Sequence, residues 1–135
     1  MQESGERSLD VMQCAEGVVN TLYPHVPNGI TDPSYSIDCG IQELKYALEK
    51  VECSSPTDIE KIKIALQGYN FGIDGFLAFL EEQNDVRWTE EYAQEYAKKA
   101  SGEIERDPDD AETMGPWAYG DQYYPLNVLR FYKYK

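Results

Sequence analysis

The chain has 135 residues with 25 acidic and 12 basic side chains, a formal net charge of −13. Such a field repels nucleic-acid phosphates and anionic membrane surfaces, which makes both poor partners. One domain fits this length, and 41% hydrophobic with 13% aromatic residues can fill a single core without metal or disulfide support.

Taken in chain order, the elements are helices. The segment from Ala15 to Pro33 holds three prolines and two glycines and reads as an ordered loop. Ser36 can cap a helix whose apolar residues Ile37, Ile41, Leu44, Leu48 and Val51 follow 4-3-4-3 spacing, one helical face. Pro56 and Thr57 start the next helix, with Ile59, Ile62, Leu66 and Tyr69 on one stripe and Glu60 near its positive end. That helix runs into Gly68 and a Tyr69-Asn70-Phe71-Gly72 turn. A third helix, about Ile73 to Glu82, is expected to bury Phe76, Leu77 and Leu80.

Thr89 then caps a helix carrying Tyr92, Ala93, Tyr96, Ala97 and Ala100, which Gly102 closes. The acidic stretch from Glu103 to Gly115 reads as a mobile loop. A last helix, about Asp121 to Lys133, carries Tyr124, Val128, Leu129 and Tyr132. No strand, internal repeat or low-complexity tract emerges, so the fold class is all-α. No apolar run reaches the ~18–20 residues that span a bilayer, and no secretory signal opens the chain.

Three cysteines allow at most one intrachain disulfide. Cys39 and Cys53 fall near opposite ends of one predicted helix, ~21 Å apart and beyond bridging distance. Cys14 with Cys39 or with Cys53 remains open. There is no Cys-x-x-Cys pair, so zinc is not expected, and the reading calls for no cofactor.

Three short segments carry the chemistry: Met1-Gln2-Glu3-Ser4-Gly5, Asp10-Val11-Met12-Gln13, and Ala65-Leu66-Gln67-Gly68-Tyr69-Asn70-Phe71-Gly72. In this order they resemble the Glu-Ser, Gly-Leu-Met-Gln and Ala-Tyr-Asn-Ala-Gly signatures of goose-type lysozymes and lytic transglycosylases. A fourth, Tyr124-Pro125-Leu126-Asn127-Val128-Leu129, is similar to their closing Tyr-Val-x-x-Val-Leu helix. The ten-residue step from Glu3 to Gln13, and Ile30-Thr31-Asp32-Pro33 followed by a helix with Gly40, resemble more narrowly the muramidase domain of CwlT-type two-domain wall hydrolases. The resemblance implies an all-α, lysozyme-like domain with a substrate cleft over residues 1–135, lacking its N-terminal helix because Met1 lies two residues before Glu3. It also implies a secreted, gram-positive, wall-located protein, often encoded on conjugative elements, with a cysteine peptidase domain following in the parent protein.

Cleaving a β-1,4 glycosidic bond needs a proton donor at the leaving oxygen while positive charge builds at the anomeric carbon. A carboxyl serves when an apolar or desolvated site keeps it protonated near working pH. The resemblance assigns that role to Glu3; a lone glutamate near a terminus would otherwise be a surface residue. Gln13 would hydrogen-bond the sugar or orient the reacting water. Met12 would line the groove floor or pack in the core. Tyr69 resembles the tyrosine whose hydroxyl touches the acid, Asn70 the turn residue that positions it, and Tyr124 a residue closing the groove. Asp10, in place of the family's first glycine, is a candidate second carboxylate; Asp32 is the other, although it could simply cap a turn. Tyr23 and Tyr119, with Tyr69 and Tyr124, could stack on sugar rings. A thiol enzyme built on Cys14 and His25 has no orienting third group.

The reading is an N-acetylmuramidase, a monomer binding the peptidoglycan glycan strand and cutting between N-acetylmuramic acid and N-acetylglucosamine. Its alternatives are a lytic transglycosylase leaving 1,6-anhydro ends, and an inactive wall-binding module of the same fold, which the acidic charge favours. A helical interaction protein of unrelated fold would require four ordered motif matches by chance.

Overall fold

The computed structural model describes Leu9, Met12 and residues 14–130. The chain forms two compact units, Met1–Tyr46 and Ala47–Lys135. Their boundary falls within the first helix, α1 (Pro33–Lys50).

In the first unit α1 begins three residues before the expected Ser36 cap. An Asp-Pro step takes over the start. The Asp32 carboxylate accepts the Ser34 N–H at 3.0 Å, and Pro33 occupies a first-turn position where a missing N–H costs nothing. Ser36 is instead a buried helical residue, and its hydroxyl accepts the Met12 N–H at 3.0 Å. The buried line of α1 is made of small residues, Ser36, Cys39, Gly40 and Ala47. Ile37 and Ile41, expected on the packed face, are 44% and 58% exposed. Of the expected stripe, Leu48 and Val51 pack in the core of the second unit, whereas nearer the start of α1 the Met12 N–H on Ser36 and the Met12 side chain over Gly40 select the smaller residues.

The segment before α1 forms a small core from Cys14, Ala15, Ile30 and Cys39, flanked by Val19, Tyr23 and Tyr35. Asn20 supplies partners that a helix or strand would otherwise provide. Buried to 1% exposure, its amide nitrogen donates to the carbonyls of Ala15 (2.7 Å) and Tyr23 (2.9 Å). Its oxygen accepts from the N–H groups of Leu22 and Tyr23. This loop is built around one amide.

The second unit contains α2 (Ile59–Phe71), α3 (Ile73–Glu82), α4 (Glu90–Ala100), α5 (Pro108–Met114) and α6 (Tyr124–Leu129). Asp58 caps α2 through the Lys61 N–H, two residues beyond the expected Pro56 start. Gly72 joins α2 to α3, and α3 keeps the bounds that its apolar pattern predicts. Phe76 and Leu80 are fully buried, whereas Leu77 is only partly so. Thr89 caps α4 by accepting the Tyr92 N–H at 3.0 Å.

Helix α2 packs against α3 and α6, and α3 against α4. Tyr96 of α4 is the hub of the core. Its ring lies 5.2 Å from Phe71 and 5.5 Å from both Phe76 and Phe79. Burial pushes the Tyr96 hydroxyl above its ordinary pKa, because the phenolate would lose its hydration.

Two later elements also depart from expectation. The acidic stretch after α4 carries α5 rather than loop alone, since Asp107 accepts the Asp109 N–H, Pro108 opens the helix and Gly115 ends it. The last helix starts later than expected. Asp121 turns its carboxylate to the Tyr123 N–H instead of starting the helix, and α6 runs Tyr124–Leu129, the expected continuation through Tyr132 to Lys133 lying outside the described residues. Among the described residues there is no strand, only an isolated bridge between Glu105 and Trp117. No described helix is long and apolar enough to cross a membrane.

Between α3 and α4, Arg87 makes two 2.7 Å bonds to Asp85, and the Tyr92 hydroxyl donates a third at 2.9 Å. These bonds, Arg87 foremost, hold the Asp85 carboxyl at a pKa of about 2. A carboxyl depressed in the folded state stabilises it above the unfolded pKa, and that contribution is lost as pH falls through the folded value. The loss therefore runs from 3.8 down to about 2. Asp85→Asn is expected to flatten the decline of the thermal midpoint across that window, while Glu103→Gln should leave the decline unchanged. Parallel declines in Asp85→Asn and wild type would show that the triad does not couple to folding.

Candidate functional site

The C-terminal turn of α2 presents three of the residues that matter, each held differently. Gln67 is completely buried, yet fully engaged. Its oxygen accepts the Trp88 indole N–H at 3.0 Å and its nitrogen donates to the Asp121 carbonyl at 2.9 Å. A buried amide is tolerated only when both ends are satisfied, and here it ties α2 to two distant segments. Asn70, one turn further, accepts the Asp121 N–H at 2.7 Å through its side-chain oxygen. Tyr69, between them, turns its ring to Tyr124 of α6. The two rings stack at 6.3 Å with 28° between planes, and both are half-buried.

Residues 117–122 are shaped by side chains. The Gln122 amide, fully buried, accepts the Trp117 N–H at 3.1 Å and donates to the carbonyls of Trp117 (3.1 Å) and Tyr119 (2.6 Å). Arg106 donates to the Trp117 carbonyl at 3.0 Å and to the carbonyl of Gly120. Gly120 has φ +55 and lies so close to α2 that a Cβ there would sit 2.5 Å from the Asn70 side-chain oxygen and 2.8 Å from the Phe71 ring. Asp121 then bonds the Tyr123 N–H and, through its other oxygen, Asn127 at 3.0 Å. The outcome is a fixed entry into α6, and with it a fixed Tyr124.

Tyr119 spends its hydroxyl on the Phe71 carbonyl at 3.0 Å, with its ring 5.4 Å from Phe71. Tyr23 packs on Tyr35 at 5.2 Å. Both serve core edges, whereas Tyr69 and Tyr124 form a stacked, half-buried pair between α2 and α6.

In the first unit, Met12 is 38% exposed and lies across Gly40, where a Cβ would come within 2.7 Å of its methyl carbon. Glycine is required there by this approach. Glu3, Asp10 and Gln13 lie outside the described residues. Asp32 uses one carboxylate oxygen on the Ser34 N–H. Cys14 is buried and its thiol donates to the Met12 carbonyl at 3.3 Å, whereas a ring nitrogen of His25 bonds the Asn20 carbonyl at 2.6 Å. Both side chains are thus engaged locally with backbone rather than arranged as a thiol–imidazole pair.

Gln67, Gln122 and Arg106 escape a motif-based reading. The cue for Gln67 is a polar residue between Leu66 and Gly68 in the buried face of α2. For Gln122 and Arg106 no local pattern exists, because their partners are backbone carbonyls of an irregular segment.

Comparison with known proteins agrees with this architecture. The bifunctional muramidase/DL-endopeptidase CwlT of Bacillus subtilis (strain 168) is 35% identical over 133 residues, 98% of this chain and 33% of that protein. The chain thus spans about a third of the length of this curated relative. A Staphylococcus aureus subsp. aureus Mu50 crystal structure, described as similar to a lipoprotein of the NLP/P60 family, matches with a TM-score of 0.63 at 24% identity. It covers 98% of this chain and 43% of that one, a likeness of fold. The lysozyme-like family profile matches residues 1–129, and the chain belongs to that family.

Proposed function

We propose that this domain cuts the glycan strand of peptidoglycan between N-acetylmuramic acid and N-acetylglucosamine, with Glu3 as general acid. The observation that supports this most is the joint presence of the Glu3, Gln13 and Tyr69-Asn70 segments in a chain 35% identical to a protein named as a muramidase. Glu3 donates its proton to the leaving oxygen as the glycosidic bond lengthens. Asp10 is the second carboxylate, a role for which Asp32 is less suited because it is engaged in capping α1. Gln13 orients the sugar or the water, and Met12 offers an exposed apolar surface for a ring. Tyr69 and Tyr124 form a stacked pair able to meet a sugar face. The domain acts at the cell wall or outside the cell, as a monomer, joined to a cysteine peptidase domain in the parent protein.

Purified peptidoglycan incubated with the protein tests this directly, with mass spectrometry of the soluble products. Release of muropeptides ending in reducing muramic acid is the expected result. Anhydro-muramic ends would reassign the reaction to lytic transglycosylation. Sedimentation with the wall and no release would make the domain a wall-binding module.

A further inference from the structure

Two of the three thiols share the small core of the first unit. Cys14 and Cys39 are 2% and 1% exposed, packed in one cluster with Ala15 and Ile30. The path of the chain brings them to the same stretch of α1. The Met12 N–H bonds the Ser36 hydroxyl, and the Met12 side chain lies on Gly40. Residue 12 therefore follows the single helical turn in which Cys39 sits, and Cys14 comes two residues later. The Cys14 sulfur points back to the Met12 carbonyl at 3.3 Å, so it stays beside that turn. Cys53 is held separately, with its thiol on the Ser55 carbonyl at 3.4 Å.

We propose that Cys14 and Cys39 are a disulfide-forming pair, joined when the protein meets an oxidising thiol–disulfide pool. The Cys14 thiolate attacks one sulfur of a small disulfide such as oxidised glutathione, giving a mixed disulfide and releasing one glutathione. The Cys39 thiolate then attacks the Cys14 sulfur and releases the second. Two thiol protons leave, and two electrons pass to the oxidant. The bond closes a loop of about 25 residues and ties Cys14 to α1. In a reducing compartment the same pair stays as thiols packed in the core. Cys53 takes no part.

No lysine or arginine occurs from Ser8 to Leu44, so trypsin leaves both cysteines in one peptide, Ser8–Lys45, and places Cys53 in another, Val51–Lys61. The native protein is equilibrated in graded ratios of reduced and oxidised glutathione, then alkylated, digested and weighed. The expected Ser8–Lys45 peptide from oxidised protein is two hydrogen atoms lighter and unalkylated, while Val51–Lys61 is alkylated. Cleavage after Glu16 and Glu43 should leave the two cysteine fragments joined until reduced. The thermal midpoint of the oxidised protein should exceed that of the reduced protein by about 10 °C. Cys53→Ser should preserve both results, and Cys39→Ser should abolish both. Full alkylation of Cys14 and Cys39 at every ratio would overturn the pairing, as would a bond to Cys53 or only intermolecular dimers.

Discussion

Replacing Glu3 by glutamine is expected to lower muropeptide release about 10²- to 10⁴-fold while leaving wall binding and the thermal midpoint unchanged. The substitution keeps the size and hydrogen-bonding reach of the side chain but removes the only proton it could transfer. The leaving oxygen of a glycosidic bond is a poor leaving group unless protonated, and the oxocarbenium-like transition state gains nothing from a neutral amide. A merely structural glutamate would move the midpoint and leave the rate per folded molecule in place. Full activity in Glu3→Gln would remove this residue from the mechanism.

Gly120→Ala should destabilise the protein by about 2–5 kcal/mol, through two independent costs. A residue with a Cβ at φ +55 is placed in the left-handed region at about 1–2 kcal/mol. The new methyl group would also need the space now taken by the Asn70 oxygen and the Phe71 ring, an overpacking term of about 1–3 kcal/mol. If the strain is relieved by moving Asn70, the Asp121 N–H loses its acceptor. Differential scanning calorimetry should show the midpoint falling by roughly 10 °C. The entry to α6 would shift with it, so muropeptide release should fall more than the lost folded fraction explains. A midpoint within about 2 °C of wild type would show that the approach of 120 to α2 relaxes freely.

Much of the fold was legible because its helices obey local rules. Thr89 and the apolar spacing from Ile73 to Glu82 act within one turn of themselves, so sequence spacing locates them well. The misplacement of α1 arose where two local signals competed, and Asp32-Pro33 outranked Ser36. The end of its expected stripe, Leu48 and Val51, does join the core, but the start of its buried face went unread because Gly40 lies under the Met12 side chain and Ser36 receives the Met12 N–H, tertiary facts that no hydropathy pattern holds. The α5 helix was legible in principle from Asp107, Pro108 and Gly115, yet the acidic composition of the stretch masked those caps. For the candidate site, Tyr69, Asn70 and Tyr124 stand out in the sequence as motif residues. The role of Asn70 as acceptor for a backbone N–H 51 residues away was not, nor was the support from Gln67 and Arg106. Such contacts depend on the meeting of segments remote in sequence.

The turn held by Gln122 bears on how this chain can change over generations. A single first-base change converts a glutamine codon to a glutamate codon, and most of this acid-rich surface would accept the result. At position 122 it would not. A carboxylate there has no hydrogens to donate, and it would face the carbonyl oxygens of Trp117 and Tyr119 that the amide now binds. Drift towards acidity is therefore closed at this codon, and the shape of the α6 entry rests on one nitrogen atom in place of one oxygen.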